Sequence, residues 1–376
     1  MIDAKPWPDA RDLWALLHNP LPDGRRLARA WSRDGDTPVW LSRSAWGMAA
    51  LGAAMAARLG REVRVWLPDY FCGEALLPLR AQRATITFYP VDSRGRPDWA
   101  WLRAQPTAPD ILFLVHFFGH ASDGAEARRF CDAAGGLLVE DATHAIGPSN
   151  GIGVDGDVVF YSPWKFFQTP NGALMLLRPR AEAWAEPVGR ALAGFGRAVS
   201  PGLQWLKQAV RTRAAGASRQ GGFPASSPED YFVDVEFESM PLRPRPSPVT
   251  GPWLAGVDLA AAAARRRAND AALRDYLADL PGCAPFDAEP AHGPLRSAFR
   301  LASPEQASAA YARLRAAGIE AQPWPGLPPE VTDPKSIAVQ LRRTVLNLPC
   351  HQGLTPDELI AALERSGLKA RSPAAA

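Results

Sequence analysis

Leu137-Leu-Val-Glu-Asp-Ala-Thr-His-Ala145 and Gly156-Asp-Val-Val-Phe-Tyr-Ser-Pro-Trp-Lys165 are two apolar runs of strand length that each end on reactive side chains. The first delivers Asp141 to its C-terminal edge, and the second delivers Lys165. An Asp after a strand is ordinarily a helix cap or turn former, and a lone Lys is ordinarily a solvated charge. Lys165 differs because it lies between Trp164 and Phe166-Phe167, with no other charged residue from Val158 to Leu177. Such neighbours desolvate an amine, lower its pKa and favour its attack on a carbonyl.

The two runs belong to a longer alternation. Between residues 40 and 178, apolar segments of strand length alternate with segments of helical period, which is the α/β pattern of a mostly parallel sheet covered by helices. Strands are expected at 62–67, 85–89, 111–115, 136–139, 157–160 and 173–177, with helices at 45–59, 73–81 and 124–134. Ligands in such sheets bind beyond the carboxyl ends of the strands. Further on, residues 178–220 are strongly basic, 229–238 are acidic, and the Gly- and Ser-rich stretch 214–228 between them reads as a linker or a lid. A helix over 257–280, with Arg265-Arg-Arg267 on its polar side, is stopped by Pro281-Gly282. Strand and helix then alternate at 298–301, 304–317, 344–348 and 355–365. Ser303 and Thr355 each stand as a capping hydroxyl before Pro at the first helical position.

A chain of 376 residues accommodates two domains. The expected division is a large α/β domain over 1–250, with a variable segment at 178–250, and a smaller C-terminal α+β domain over 251–376. Basic and acidic residues number 42 and 39, a formal charge of +3, too small an excess to argue for nucleic acid or a membrane surface as partner. The four cysteines lack CxxC spacing and scaffold density, which fits a reducing cytoplasm and suggests no metal site. The N-terminus carries no basic region followed by an apolar core, and the apolar run 111–118 is too short to span a bilayer, so a cytoplasmic protein is expected.

A desolvated amine paired with a strand-end carboxylate meets the needs of pyridoxal phosphate. The amine holds the aldehyde as a Schiff base, and the carboxylate faces the ring nitrogen so that the ring can act as an electron sink. The order of motifs resembles the nucleotide-sugar aminotransferases, the DegT/StrS family of fold-type I pyridoxal phosphate enzymes. The resemblance runs through Ser42-Arg-Ser-Ala45, Leu67-Pro-Asp-Tyr-Phe-Cys72, Phe88-Tyr-Pro-Val-Asp92, Val115-His-Phe-Phe-Gly119, the Asp141 and Lys165 motifs, and Leu346-Asn-Leu-Pro-Cys-His351.

That resemblance implies a three-layer large domain and a role for each matching residue. Lys165 would hold the cofactor and, once freed, move the proton between the substrate α-carbon and the cofactor C4′. Asp141 would pair with the pyridinium nitrogen. His144, where the family usually has Gln, would hydrogen-bond the phenolic oxygen, its alternative being a satisfied strand-end histidine. Arg43 and Ser44 fall at the phosphate position, where helix amides favour an anion; Ser44 also fits a helix cap. Ser162 is a second phosphate candidate or a turn residue before Pro163. Cys72 stands at the ring-stacking position, where an aromatic is commoner, so Tyr70 or Phe71 is the alternative cover. His116 and Tyr70 are the substrate-side candidates, with a packed strand-end role as the alternative for His116.

Two features depart from the family pattern. Gln168-Thr-Pro-Asn-Gly172 replaces a Gly-Glu-Gly-Gly type turn, and the segment that sends an Asn into the neighbouring subunit's site is not recognisable. The implied activity is transfer of an amino group from glutamate to the ketone of a nucleotide-linked keto sugar by a homodimer, in polysaccharide or secondary-metabolite biosynthesis. The alternatives are another pyridoxal phosphate reaction on a non-sugar substrate and a regulatory protein that keeps the fold without turnover. Retention of Lys165 argues against the family's dehydratase-like branch, in which a histidine replaces this lysine.

Overall fold

The computed structural model describes residues 2–6, 14, 18, 23–196, 198–199, 202–214, 226–233 and 243–369. Most of the Gly- and Ser-rich stretch and part of the acidic segment lie outside these residues.

A seven-stranded sheet organises the first part of the chain. Its strands are β1 (Thr37–Leu41), β2 (Val63–Pro68), β3 (Ala84–Tyr89), β4 (Ile111–Val115), β5 (Leu137–Asp141), β6 (Val158–Tyr161) and β7 (Ala173–Leu177), in the spatial order β1-β7-β6-β5-β4-β2-β3. Neighbouring pairs from β6 to β3 are parallel, whereas β7 runs antiparallel to both β1 and β6. Strands β4 to β7 are buried along their whole length, which is why they read as unbroken apolar runs rather than as alternating ones. Six of the seven strands stand where the sequence pattern puts them, to within two residues. The exception, β1, carries Pro38, which an edge strand tolerates and a central strand does not.

Helix Ser44–Leu59 lies against this sheet, and small residues allow the approach. A Cβ on Gly47 would stand 2.5 Å from Cε1 of Phe160 and 2.8 Å from Cδ1 of Leu41. Helix Gly124–Ala134 begins and ends where expected, with Asp123 accepting from Glu126 N and Gly135 closing it. Among the described residues, no helix is long and apolar enough to cross a membrane.

The C-terminal part forms a four-stranded antiparallel sheet of β8 (Cys283–Pro285), β9 (Ser297–Leu301), β10 (Gln322–Pro323) and β11 (Val345–Leu348), in the order β10-β11-β9-β8. Helices Leu259–Leu277, Pro304–Ala316 and Pro356–Ser366 pack with it, and Ser303 and Thr355 make the anticipated caps. The core of this part also takes in Ile2, paired with Ile319, and Tyr231, whose hydroxyl donates to Val345 O at 2.8 Å.

One expectation needs correction. The run Arg265-Arg-Arg267 is not a uniformly polar face, because Arg266 is 1% exposed. Its guanidinium sits 4.8 Å from the Phe166 ring and donates to the carbonyls of Pro294, Leu295 and Phe166 and to Gln352. A buried Arg is tolerated when its donors are satisfied, and here it ties helix Leu259–Leu277 to the turn that follows Lys165.

Candidate active site

Strands β5 and β6 are adjacent and parallel, so the residues that follow them emerge side by side. Asp141 is the last residue of β5, and Lys165 sits on the single turn Pro163–Phe166 just beyond β6. Thr143 joins them: its backbone N–H donates to Asp141 Oδ1 at 2.9 Å, and Lys165 Nζ donates to its Oγ1 at 3.1 Å. Burial lowers the Lys165 pKa, opposed by the negative charge of Asp141. The amine is therefore held in one place and kept more nucleophilic than a surface lysine.

These groups face a cavity of about 140 Å³ that is also lined by Arg43, Ser44, Tyr70, Phe71, Cys72 and His144. Arg43 precedes helix Ser44–Leu59, and its guanidinium carbon stacks 3.4 Å from the centroid of the Trp164 ring. Its Nη1 is buried without a hydrogen-bond partner, and burial brings its pKa down to about 10, so it stays charged at neutral pH. The start of that helix, where backbone amides and the helix dipole favour an anion, lies beside it.

His144 is neutral and of defined tautomer. Burial pushes its pKa well below the usual range, reinforced by the charges of Lys165 and Arg296. Its Nδ1 faces the backbone N–H of Phe118 at 3.3 Å and must accept, so its proton is on Nε2. Phe118 itself adopts a φ of 52°, a left-handed conformation that is costly for an aromatic residue and that aims its N–H at the imidazole.

The remaining candidates are placed as follows. Tyr70, Phe71 and Cys72 line the cavity. Tyr70 donates its hydroxyl to Gly95 O at 3.0 Å and packs its ring on Phe117 and Trp324. Ser162 is buried with its Oγ unpartnered, but it does not line the cavity. His116 does not line it either. Its Nδ1 accepts from Ser122 N at 3.0 Å, and its Nε2 donates to the buried Glu140 at 2.7 Å. Glu140 also accepts from the backbone N–H groups of Gly153, Val154, Asp155 and Gly156, and so fastens the loop before β6 to β5. Among the described residues, no group of His, Cys, Asp and Glu is arranged to hold a metal ion.

Sequence reasoning missed Thr143, Lys5 and Arg296. Thr143 lay within the quoted motif and needed only the two-residue turn geometry after Asp141. Lys5 and Arg296 line a neighbouring cavity and lie 160 residues before and 131 after Lys165 in the chain, so no local pattern connects them to it.

The residues fit pyridoxal phosphate. An orphaned buried guanidinium nitrogen beside a helix start suits the phosphate. Asp141 suits the ring nitrogen, and the Nε2–H of His144 suits the phenolic oxygen.

No protein-family model matches the sequence, and no curated protein matches it. Solved structures do share its architecture. Helicobacter pylori PseC, an aminotransferase involved in the biosynthesis of pseudoaminic acid, superposes with a TM-score of 0.71 at 12% identity, covering 96% of each chain. S. venezuelae DesV, solved in complex with a ketimine intermediate, gives 0.67 at 20%, covering 96% of this chain and 95% of that one. E. coli GDP-4-keto-6-deoxy-D-mannose-3-dehydratase, solved with bound hydrated PLP, gives 0.69 at 16%, covering 97% and 99%. The fold is that of the fold-type I pyridoxal phosphate-dependent enzymes. Aminotransferases are among the structures that share this fold.

Proposed function

We propose that this protein is a pyridoxal phosphate-dependent aminotransferase that moves an amino group from an amino acid, L-glutamate in the first instance, to a keto sugar carried on a nucleotide. The single observation that carries the reading is the gathering of Lys165, Asp141, His144 and Arg43 around one cavity at the carboxyl edge of the sheet. The likeness to PseC and to the GDP-4-keto-6-deoxy-D-mannose-3-dehydratase supports the substrate class.

When bound, the cofactor supplies an aldehyde for the amine and a ring that stabilises a carbanion. The chain's own residues do the rest. Arg43 and the amides at the start of helix Ser44–Leu59 would bind the phosphate, and Asp141 would pair with the ring nitrogen. His144 donates from Nε2 to the phenolic oxygen. Thr143 orients Lys165 Nζ, whose lowered pKa would suit it to move the proton between the substrate α-carbon and the cofactor C4′. Phe71 and Cys72 would cover the ring, and Tyr70 lines the same cavity. The protein acts in the cytoplasm as a homodimer.

The test is the visible absorption spectrum of the purified protein and of Lys165→Ala, each supplied with cofactor. A band from the lysine-bound cofactor in the wild type, absent from the variant and bleached by L-glutamate, supports the proposal. A wild type that never develops the band rejects it.

A further inference from the structure

A separate cavity of about 400 Å³ lies across the Phe117–Gly119 turn from the cofactor cavity, between the large sheet's loops and the C-terminal part. Phe117 lines the first cavity, Gly119 and His120 line the other, and no residue lines both. The wall is thin there, since a Cβ on Gly119 would stand 2.9 Å from His144 O. Leu295 N donates to Phe118 O at 3.3 Å and pins the turn to the C-terminal part. The volume falls within the range of small-molecule sites, roughly 300–1,000 Å³.

His120 gives this cavity its character. The residue is 8% exposed, and its Nδ1 donates to Glu289 O at 2.8 Å. Burial lowers its pKa, so the ring is neutral and Nε2 carries a lone pair. Among the described residues Nε2 makes no hydrogen bond, and a buried acceptor of this kind calls for a donor from whatever fills the space. His292 is the converse. Its Nδ1 accepts from Arg267 Nη1 at 3.4 Å, so its proton is on Nε2, and burial together with Arg267 keeps it neutral. Ser149 and Asn150 add a hydroxyl and an amide, each able to donate and to accept.

The charges differ from those around Lys165. Arg96 pairs with Asp287 at 3.2 Å, and the other Asp287 oxygen accepts from Glu289 N at 3.1 Å. That leaves the Glu289 carboxylate as the one charge on the lining without a partner among the described residues.

We propose that this cavity binds a monosaccharide carrying an amine, with Glu289 receiving the ammonium and His120, His292 and Ser149 receiving hydroxyls. Sugar hydroxyls donate and accept at one atom, as this lining requires, and the C–H face of the ring matches Pro148 and Pro290. A phosphate or carboxylate would meet Glu289 in place of a cation, so the site turns away the anions that Arg43, Lys5 and Arg296 attract. The inference goes beyond the aminotransferase reading and needs no cofactor, although an amino sugar is the class of product which that reading yields.

The experiment is an NMR titration of the full chain with D-glucosamine, D-glucose and D-glucose 6-phosphate, read at the histidine rings. The chain has six histidines, few enough for each signal to be assigned by replacing its residue with Gln. Glucosamine is expected to move the His120 and His292 signals, glucose to do so at about ten-fold higher concentration, and the phosphate to leave both in place. Glu289→Gln alters an exposed side chain and spares the carbonyl that holds His120; in it glucosamine and glucose should act at the same concentration. Lys165→Ala should keep the wild-type preference. No movement of the His120 signal, an unchanged preference in Glu289→Gln, or movement at His144 without movement at His120 overturns the proposal. The two readings fail separately. A chain that never forms the lysine-bound band loses the aminotransferase reading but still answers this titration, whereas an active chain with an unmoved His120 signal loses only this site.

Discussion

The backbone N–H of Phe118 donates to Nδ1 of His144 across 3.3 Å, and this contact fixes which proton the imidazole can give. The imidazole is neutral because it is buried beside two cations, and its only proton points away from Phe118.

It follows that His144 acts as a hydrogen-bond donor and not as a titrating acid. His144→Gln, which keeps an N–H donor, is expected to retain turnover within about ten-fold, whereas His144→Phe loses about 100-fold, the scale for removing one positioned donor. The rate measured between pH 6 and pH 8 with each variant checks this. A wild-type rate that follows a titration which His144→Gln abolishes would contradict it.

Lys5 gives the neighbouring cavity that it lines with Arg296 a pH dependence of known sign. Burial, with the repulsion of Arg43, Arg296 and Lys165, lowers its pKa to about 7. A bound anion favours the protonated form, so the Lys5 contribution to anion binding is fully present below about 7 and is lost as pH rises above the value in the complex. Succinate affinity is expected to fall between pH 6.5 and pH 9 in wild type and to stay nearly flat in Lys5→Gln. Parallel profiles for the two proteins would refute the role of Lys5.

Glu140 makes acid stability measurable. Burial raises the pKa of its carboxyl, but the His116 contact and the N–H groups of the loop before β6 outweigh burial and hold it at about 2. Its folded pKa is thus depressed, so its contribution is present above the ordinary carboxylate range and is lost as pH falls toward 2. Glu140→Gln should cost about 3–5 kcal/mol at pH 7, because an amide leaves a donor facing donors. Denaturant unfolding at pH 7 and at pH 3 is the check, with the gap between the proteins narrowing at the lower pH.

Gly47 sets how closely helix Ser44–Leu59 approaches the sheet. A methyl there would press on Phe160 and Leu41, and Gly47→Ala should cost about 1–3 kcal/mol despite its better helix propensity. It should also weaken retention of the cofactor, since the same helix carries Arg43 and Ser44 at its start. Thermal melting together with the dissociation rate of the cofactor reads both effects, and a stabilised variant would rule out the close-packing account.

Much of the fold was legible because its signals are local. Fully buried strands and capped helices announce themselves in short windows, as at β4, β7 and helix Gly124–Ala134. Edge strand β1 was not legible, since Thr37-Pro-Val-Trp-Leu41 owes its place to pairing with β7 rather than to its own pattern. Arg266 was misread for a similar reason: a charged residue in a basic run is buried only because carbonyls from distant loops converge on it.

At the site, the order and spacing of Asp141 and Lys165 follow from the sequence, because one ends an apolar strand, the other lies on the turn just beyond a second, and both strands belong to one sheet. The sequence likewise carries the character of those two side chains, an acid and an amine set among apolar neighbours. Which further groups stand around them depends on long-range packing. His116 turns away to Glu140, Thr143 links the carboxylate to the amine, and Lys5 and Arg296 arrive from the N-terminal segment and the loop before β9. Covalent order constrains neighbours within a strand or a helical turn, whereas convergence of charges far apart in the chain is set by how two cores pack, and only the folded chain expresses that.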